Sequence, residues 1–278
     1  MKICKTIDEF IYEYIVNNMP FNDIQFENES MYQEFFEYCM KNKDNSDYLL
    51  IIGDLYYQGK YVELNESIAF EWFKKAAELG NKKAMNNLGV CYMYGQGCEK
   101  DLNLAFYWYK KAAELGNKKA MNNLGLCYEY GEGCEKDLNL AFYWFKKAAE
   151  LDYPVSMNNL GLCYEYGEGC EKDLNLAFYW YKKAAELGNK IAMNNLGLCY
   201  KYGEGCEKDL NKAFYWYKKS AELDYQVSMS NLGLCYEHGE GCEKDLNQAF
   251  YWYKKSAESG NEFAMYNLGL CYEDGKGC

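Results

Sequence analysis

Between Lys118 and Tyr130 the small and apolar side chains fall at Ala120, Met121, Leu124, Cys127 and Tyr128. That is the i, i+3/i+4, i+7 spacing of one helical face. Gly131 follows, where a helix commonly closes on a left-handed residue, and the polar loop GEGCEK leads away from it. Asp137 then stands as the N-cap of a second helical pattern, as Asn65 does earlier in the chain. Its apolar face is Leu138, Ala141, Phe142, Trp144, Phe145, Ala148 and Ala149, and it stops at Leu151. The pattern predicts a helix–turn–helix unit.

The unit returns every 36 residues, in six near-copies from about Ala76 to the end. A more divergent copy lies upstream, where Gly53, Gly59, Ala69, Trp72 and Gly80 precede Gly89, Gly95, Ala105, Trp108 and Gly116 by the same interval. One such unit cannot bury its own apolar face, so a fixed period predicts a stacked array. The expected fold is all-α, a right-handed α-solenoid of helix–turn–helix repeats without β-sheet. It would span residues 46–278 as six full repeats and a truncated seventh.

Residues 1–45 match no unit. Ile7, Phe10, Ile11, Tyr14 and Ile15 predict one amphipathic helix ending near Pro20, and Met31, Tyr32, Phe35, Phe36 and Cys39 a second. This segment reads as a cap over the apolar end of the stack, or alternatively as a small separate interaction module. Within the repeats, the glycine at Gly89, Gly125 and Gly161 costs roughly 1 kcal/mol in a helix interior, which points to close helix–helix approach. Tryptophan recurs once per unit and is expected to be the largest buried side chain.

The motif LGLCYEYGEGCEKD…AFYWYKKAAELGN resembles the SEL-1-like repeat family, a helical relative of the tetratricopeptide repeat. Leu124, Gly125, Tyr128, Gly131, Gly133, Asp137, Ala141, Trp144, Ala148, Ala149 and Gly116 carry the resemblance, which covers about Ser46 to Cys278. It implies a non-catalytic adaptor that assembles complexes, as family members do in signalling and protein quality control. Some secreted bacterial relatives are cysteine-rich and linked to penicillin binding. The cysteine spacing here departs from theirs.

Charge narrows the partner. The chain has a net charge of -12, with 30 lysines and no arginine. It lacks the bidentate fork that reads guanine or phosphate, which argues against nucleic acid. A basic or neutral protein or peptide is the expected partner, and the array is expected to be a monomer. No apolar stretch reaches transmembrane length and the N-terminus lacks a signal-peptide pattern, so neither a membrane role nor export is expected. The expected location is intracellular, in the cytoplasm.

Twelve of the fourteen cysteines pair seven residues apart, as in Cys91/Cys98 and Cys127/Cys134, and the first repeat places Leu55 and Val62 there. The substitution suggests packed thiols behaving as small hydrophobes. That no unit keeps only one member also fits a crosslink. The second function class is therefore an exported, cysteine-stapled protein with ligand-binding or weak hydrolase activity. Zinc needs four converging ligands, and the only histidine, His238, shares its column with Tyr130, Tyr166 and Asp274. Loop acids such as Glu132, Glu135 and Asp137 recur along the repeats, unlike a catalytic pair. No catalytic residue, cofactor site or metal site is expected.

Two surfaces remain as candidate protein-binding sites. Asn122 and Glu129 are expected to face solvent, flanked by the column Asn87, Asn123, Asn159, Asn195 and Asn231. By analogy with related arrays, first helices line the concave face, where such amides could grip an extended peptide. The same amides could instead hydrogen-bond between repeats. On the second helix, Leu140 and Tyr143, with Leu104, Tyr107, Leu176 and Tyr179, predict an exposed apolar stripe.

Overall fold

Each unit folds as two 13-residue helices joined by the glycine loop. In the first of them, Gly131 adopts a left-handed φ of 74° and its N–H donates to the Cys127 carbonyl. In the second, the Asp137 carboxylate accepts the Leu140 N–H, satisfying one of the free amides of the first turn. At the far end, Asp152 (φ 52°) and Asp224 (φ 56°) take the left-handed conformation that glycine supplies at Gly116 and Gly188.

The computed structural model describes residues 2–4, 6–17, 19 and 24–277, in two units, 1–136 and 137–278. The first holds β1 (Lys2–Cys4), α1 (Ile7–Ile11) with a π-helical turn (Tyr12–Val16), β2 (Ile24–Phe26) and α2 (Glu29–Lys41). Its repeat helices follow as α3 (Ser46–Gln58), α4 (Glu66–Glu78), α5 (Lys82–Tyr94), α6 (Leu102–Glu114) and α7 (Lys118–Tyr130). The second holds α8 (Leu138–Glu150), α9 (Pro154–Tyr166), α10 (Leu174–Glu186), α11 (Lys190–Tyr202), α12 (Leu210–Glu222), α13 (Gln226–His238), α14 (Leu246–Glu258) and α15 (Glu262–Asp274).

The N-terminal segment departs from the all-helical expectation. β1 and β2 pair in parallel, with Lys2 opposite Ile24 and Cys4 opposite Phe26. The strands bring Phe26 into an aromatic cluster, stacked on Phe10 at 4.3 Å and 5.2 Å from Phe35. Three-residue runs are too short for a period-2 pattern to show. Tyr61 anchors this cluster to the first repeat, stacking on Tyr32 at 4.7 Å and accepting the Phe26 N–H at 3.1 Å. The helix end expected near Pro20 and the Cys271/Cys278 pair involve residues outside those described.

The tryptophans are a correction. They are half-buried, whereas the ring one residue later is buried throughout: Phe73, Tyr109, Phe145, Tyr181, Tyr217 and Tyr253. Helix geometry turns the second position towards the partner helix, where the interior glycine clears space for it. A Cβ at Gly197 would stand 2.5 Å from the Tyr217 ring. The glycine thus admits an aromatic ring rather than a bare helix backbone. The tryptophan lies on the flank, with Trp180 edge-on to Tyr179 at 5.2 Å and under the Lys183 ammonium at 5.5 Å.

No disulfide joins the twelve cysteines whose side chains the structure describes. The outer member of a pair donates to the carbonyl of the inner one: Cys134 Sγ to Cys127 O and Cys170 Sγ to Cys163 O, both at 3.5 Å. Burial pushes the Cys127 thiol up to about 12, so it stays protonated and unreactive. Replacing Cys127 and Cys134 by Leu and Val, as the first repeat has them, should shift stability by less than about 1.5 kcal/mol. Thermal denaturation with and without reductant checks this; a large reductant-dependent fall in melting temperature would contradict it.

Candidate functional site

The first unit carries a groove of about 570 Å³ on the face formed by its first helices, α3, α5 and α7, with Tyr14 and Met19 beside them. Local capping sets its geometry. Asn81 caps α5 by accepting the Lys83 and Ala84 N–H groups at 3.0 Å. Asn117 caps α7 by accepting the Ala120 N–H, and its amide reaches back to the Lys82 carbonyl at 3.0 Å. The two helix starts are thereby tied together. Lys82 and Lys83 of one repeat and Lys118 and Lys119 of the next line the same groove. Tyr57 and Val90 supply apolar surface to it, with the buried Phe73 ring behind them.

Among the described residues lining the groove Asp54 is the only acidic one, and it is 6 % exposed. It accepts hydrogen bonds from the Tyr14 hydroxyl and, at 3.3 Å, from Asn87 Nδ2. Burial raises its carboxyl from 3.8 to about 7, against the pull of the Tyr14 hydrogen bond and the Lys119 and Lys83 ammonium groups. Burial also lowers the Lys83 ammonium, which sits 5.4 Å from the Tyr14 ring, with Asp47 and Asp54 opposing that shift. Near neutral pH the groove therefore sets four lysines against one incompletely ionised carboxyl. That lining has an excess of basic side chains on a chain whose net charge is -12.

Of the residues expected to bind, the groove includes Asn87 alone. The asparagine column spends its amide donors on the preceding repeat. Asn123 donates to Asn86 at 3.1 Å, Asn195 to Asn158 at 3.0 Å and Asn231 to Asn194 at 2.9 Å. Asn159 occupies the same column on α9, half-buried. The expectation that Asn122 faces solvent is wrong: it is 4 % exposed, as are Asn158 at 4 % and Asn194 at 3 %. That column faces the neighbouring repeat, and Asn86, Asn158 and Asn194 each offer it an oxygen acceptor. Glu129 is half-buried.

Leu140 (39 % exposed) and Tyr143 (44 % exposed) do stand on the outer face of α8, as Leu104 and Tyr107 do on α6. Lysines partly cover the tyrosines, with Lys147 5.0 Å above the Tyr143 ring and Lys111 4.7 Å above Tyr107.

Sequence reasoning missed Asp54, Tyr14 and the lysine doublets. The signal was present as departures from the repeat. The column of Asp54 otherwise holds Val90, Leu126, Leu162, Leu198, Leu234 and Leu270. The doublets Lys82–Lys83 and Lys118–Lys119 become Pro154–Val155, Lys190–Ile191, Gln226–Val227 and Glu262–Phe263 further on. A chain that copies its core closely changes residues here and builds a groove with them.

No serine, cysteine or histidine is among the described residues lining the groove. His238, at the end of α13, is exposed. Among the described residues no three His, Cys, Asp or Glu side chains gather as a metal site, and no helix is long and apolar enough to cross a membrane.

Comparison with known proteins gives the lineage. The Sel1 repeat model matches seven times, at residues 47–81, 82–117, 118–153, 154–189, 190–225, 226–261 and 263–278. A Sel1 repeat protein from Oxalobacter formigenes is 31 % identical with a TM-score of 0.80, over 91 % of this chain and 100 % of its own. The c5321 protective antigen of uropathogenic Escherichia coli, which displays the same kind of repeat fold, is 35 % identical with a TM-score of 0.76. That match takes in 86 % of this chain, which spans about half (52 %) of the antigen. The Cut9–Hcn1 hetero-tetramer of the APC/C shares the fold alone, at 16 % identity and a TM-score of 0.56, over 95 % of this chain and 51 % of that one. No curated protein matches the sequence. With seven matched units covering nearly all of residues 47–278, the chain belongs to the Sel1 repeat family.

Proposed function

We propose that this chain is a non-catalytic scaffold that holds an extended segment of a partner protein in the groove of its first three repeats. The observation that carries the reading is the groove itself. Three consecutive first helices line it, and it combines apolar surface with lysines at the two places where the repeat pattern is broken. Repeat arrays present extended surfaces of this kind, on which one ligand touches several units. Such a scaffold would work in a reducing cell interior, in keeping with cysteines packed without disulfides among the described residues.

Selection of random displayed peptides on the full chain tests the proposal. Enriched peptides should lose capture when Val90→Trp fills the groove, with helical circular dichroism unchanged. They should keep capture in the Leu140→Lys/Tyr143→Lys variant. Absence of any enriched peptide, or capture lost only in the second variant, would overturn the reading in favour of the outer stripe or of no binding.

A further inference from the structure

The lysine groove has a polarity that net charge conceals. Lys119 is exposed, Lys83 is half-buried, and their counterparts Lys118 and Lys82 belong to the same two helix starts. Those starts also present the positive ends of α5 and α7, which favour negative charge within the first turn. Lysine is a costly choice at four positions around one recess unless something negative enters it, because like charges repel there. Later repeats place proline, valine, isoleucine, glutamine, glutamate or phenylalanine in seven of the eight corresponding positions, so the helix start itself does not demand lysine.

Resting on the scaffold reading, we propose that the groove binds an acidic segment of a partner polypeptide, its carboxylates held by Lys83 and Lys119 and an adjoining apolar side chain laid on Val90 and Tyr57. The apolar surface selects among anions. A bare phosphate would leave it exposed to water, and a flat bilayer cannot enter a recess. A peptide that carries an apolar residue beside aspartate or glutamate satisfies both halves. Asp54 fits this role. Its carboxyl is buried, hydrogen-bonded by Tyr14 and Asn87, and opposes an incoming carboxylate only with partial charge near neutral pH. The net charge of the chain then acts at long range as a filter, since an acidic ligand must reach this lysine-lined recess on a molecule of net negative charge.

Fluorescence anisotropy on the full chain provides the test, with three labelled synthetic probes. The first is a short peptide of glutamates around a leucine, the second its glutamine analogue and the third its lysine analogue. The acidic probe should bind saturably, and both analogues at least about tenfold more weakly. Its affinity should fall with added salt. Lys119→Glu, at an exposed position, should weaken it severalfold, and Lys83→Glu/Lys119→Glu should abolish it while Lys83→Arg/Lys119→Arg keeps it. Helical circular dichroism confirms folding, and Lys119→Glu alone serves if the double variant does not fold.

Equal binding of the acidic and glutamine probes, both lost in Val90→Trp, would overturn the carboxylate inference and leave the scaffold standing. So would a neutral or basic displayed peptide seated in the groove while the acidic probe fails. Acidic-probe binding that survives both charge reversals would overturn the inference as well. Binding of inorganic phosphate or phosphatidylserine vesicles with no peptide bound would overturn inference and scaffold together.

Discussion

Gly205→Ala lowers the stability of its unit by about 3–5 kcal/mol, among the largest costs a single methyl can bring. Gly205 has φ 69°, and a Cβ there would lie 2.0 Å from the Leu174 carbonyl oxygen and 2.9 Å from Phe178 Cβ. The obstacle is backbone of the preceding second helix, so no side-chain rotation relieves it. Gly188 is the internal control. It too has positive φ (88°), yet nothing lies within 4 Å of its Cβ position. Gly188→Ala should therefore cost only the left-handed conformation, about 1–2 kcal/mol. Asp152 and Asp224 already occupy equivalent positions. Chemical denaturation of both variants measures the difference; equal losses would contradict the close loop–helix contact.

Asp54→Asn should stabilise the protein at about pH 8, by on the order of 3–4 kcal/mol. The Asp54 carboxyl titrates near 7 when folded and near 3.8 when exposed. Between those values the folded chain holds a proton that the unfolded chain has released, so stability falls as pH rises through the window. The whole cost is present above it and absent below about pH 4. Asparagine keeps an acceptor for the Tyr14 hydroxyl and has no charge to desolvate. The gain should accordingly shrink to near zero at about pH 4. Denaturation midpoints across that range decide the matter: a pH-independent difference, or a loss at pH 8, would mean that burial does not raise the Asp54 carboxyl. A natural chain retaining such a residue gives up stability at its site, a common trade where binding matters.

The repeat fold was legible because one signal was printed many times. Periodic apolar positions, an aspartate N-cap and a glycine stop agree with one another in every unit, and agreement between local signals marks a foldable pattern. Facing within the unit was harder. Trp180 and Tyr181 are adjacent large aromatics, and only the ring packing at Gly161 tells which one turns inward. Asn122 and Asn123 are likewise adjacent. Their roles separate only when the neighbouring helix is in place to accept the hydrogen bond.

The groove was missed for a different reason. A search for what recurs finds the core, whereas Asp54 stands alone in its column and the lysine doublet occurs in only two repeats. The N-terminal contribution of Tyr14 comes from a segment with no repeat to compare against. The net charge pointed towards a basic or neutral partner, whereas four lysines from adjacent repeats give the groove the opposite sign.

Hydrogen exchange on the full chain, with and without a display-selected peptide, separates the groove from the outer stripe. The peptide should slow exchange in the first turns of α5 and α7, around Lys83 and Lys119, with α6 and α8 unchanged. Protection confined to the outer stripe at Leu104–Tyr107 and Leu140–Tyr143, with the groove segments unaltered, would contradict it.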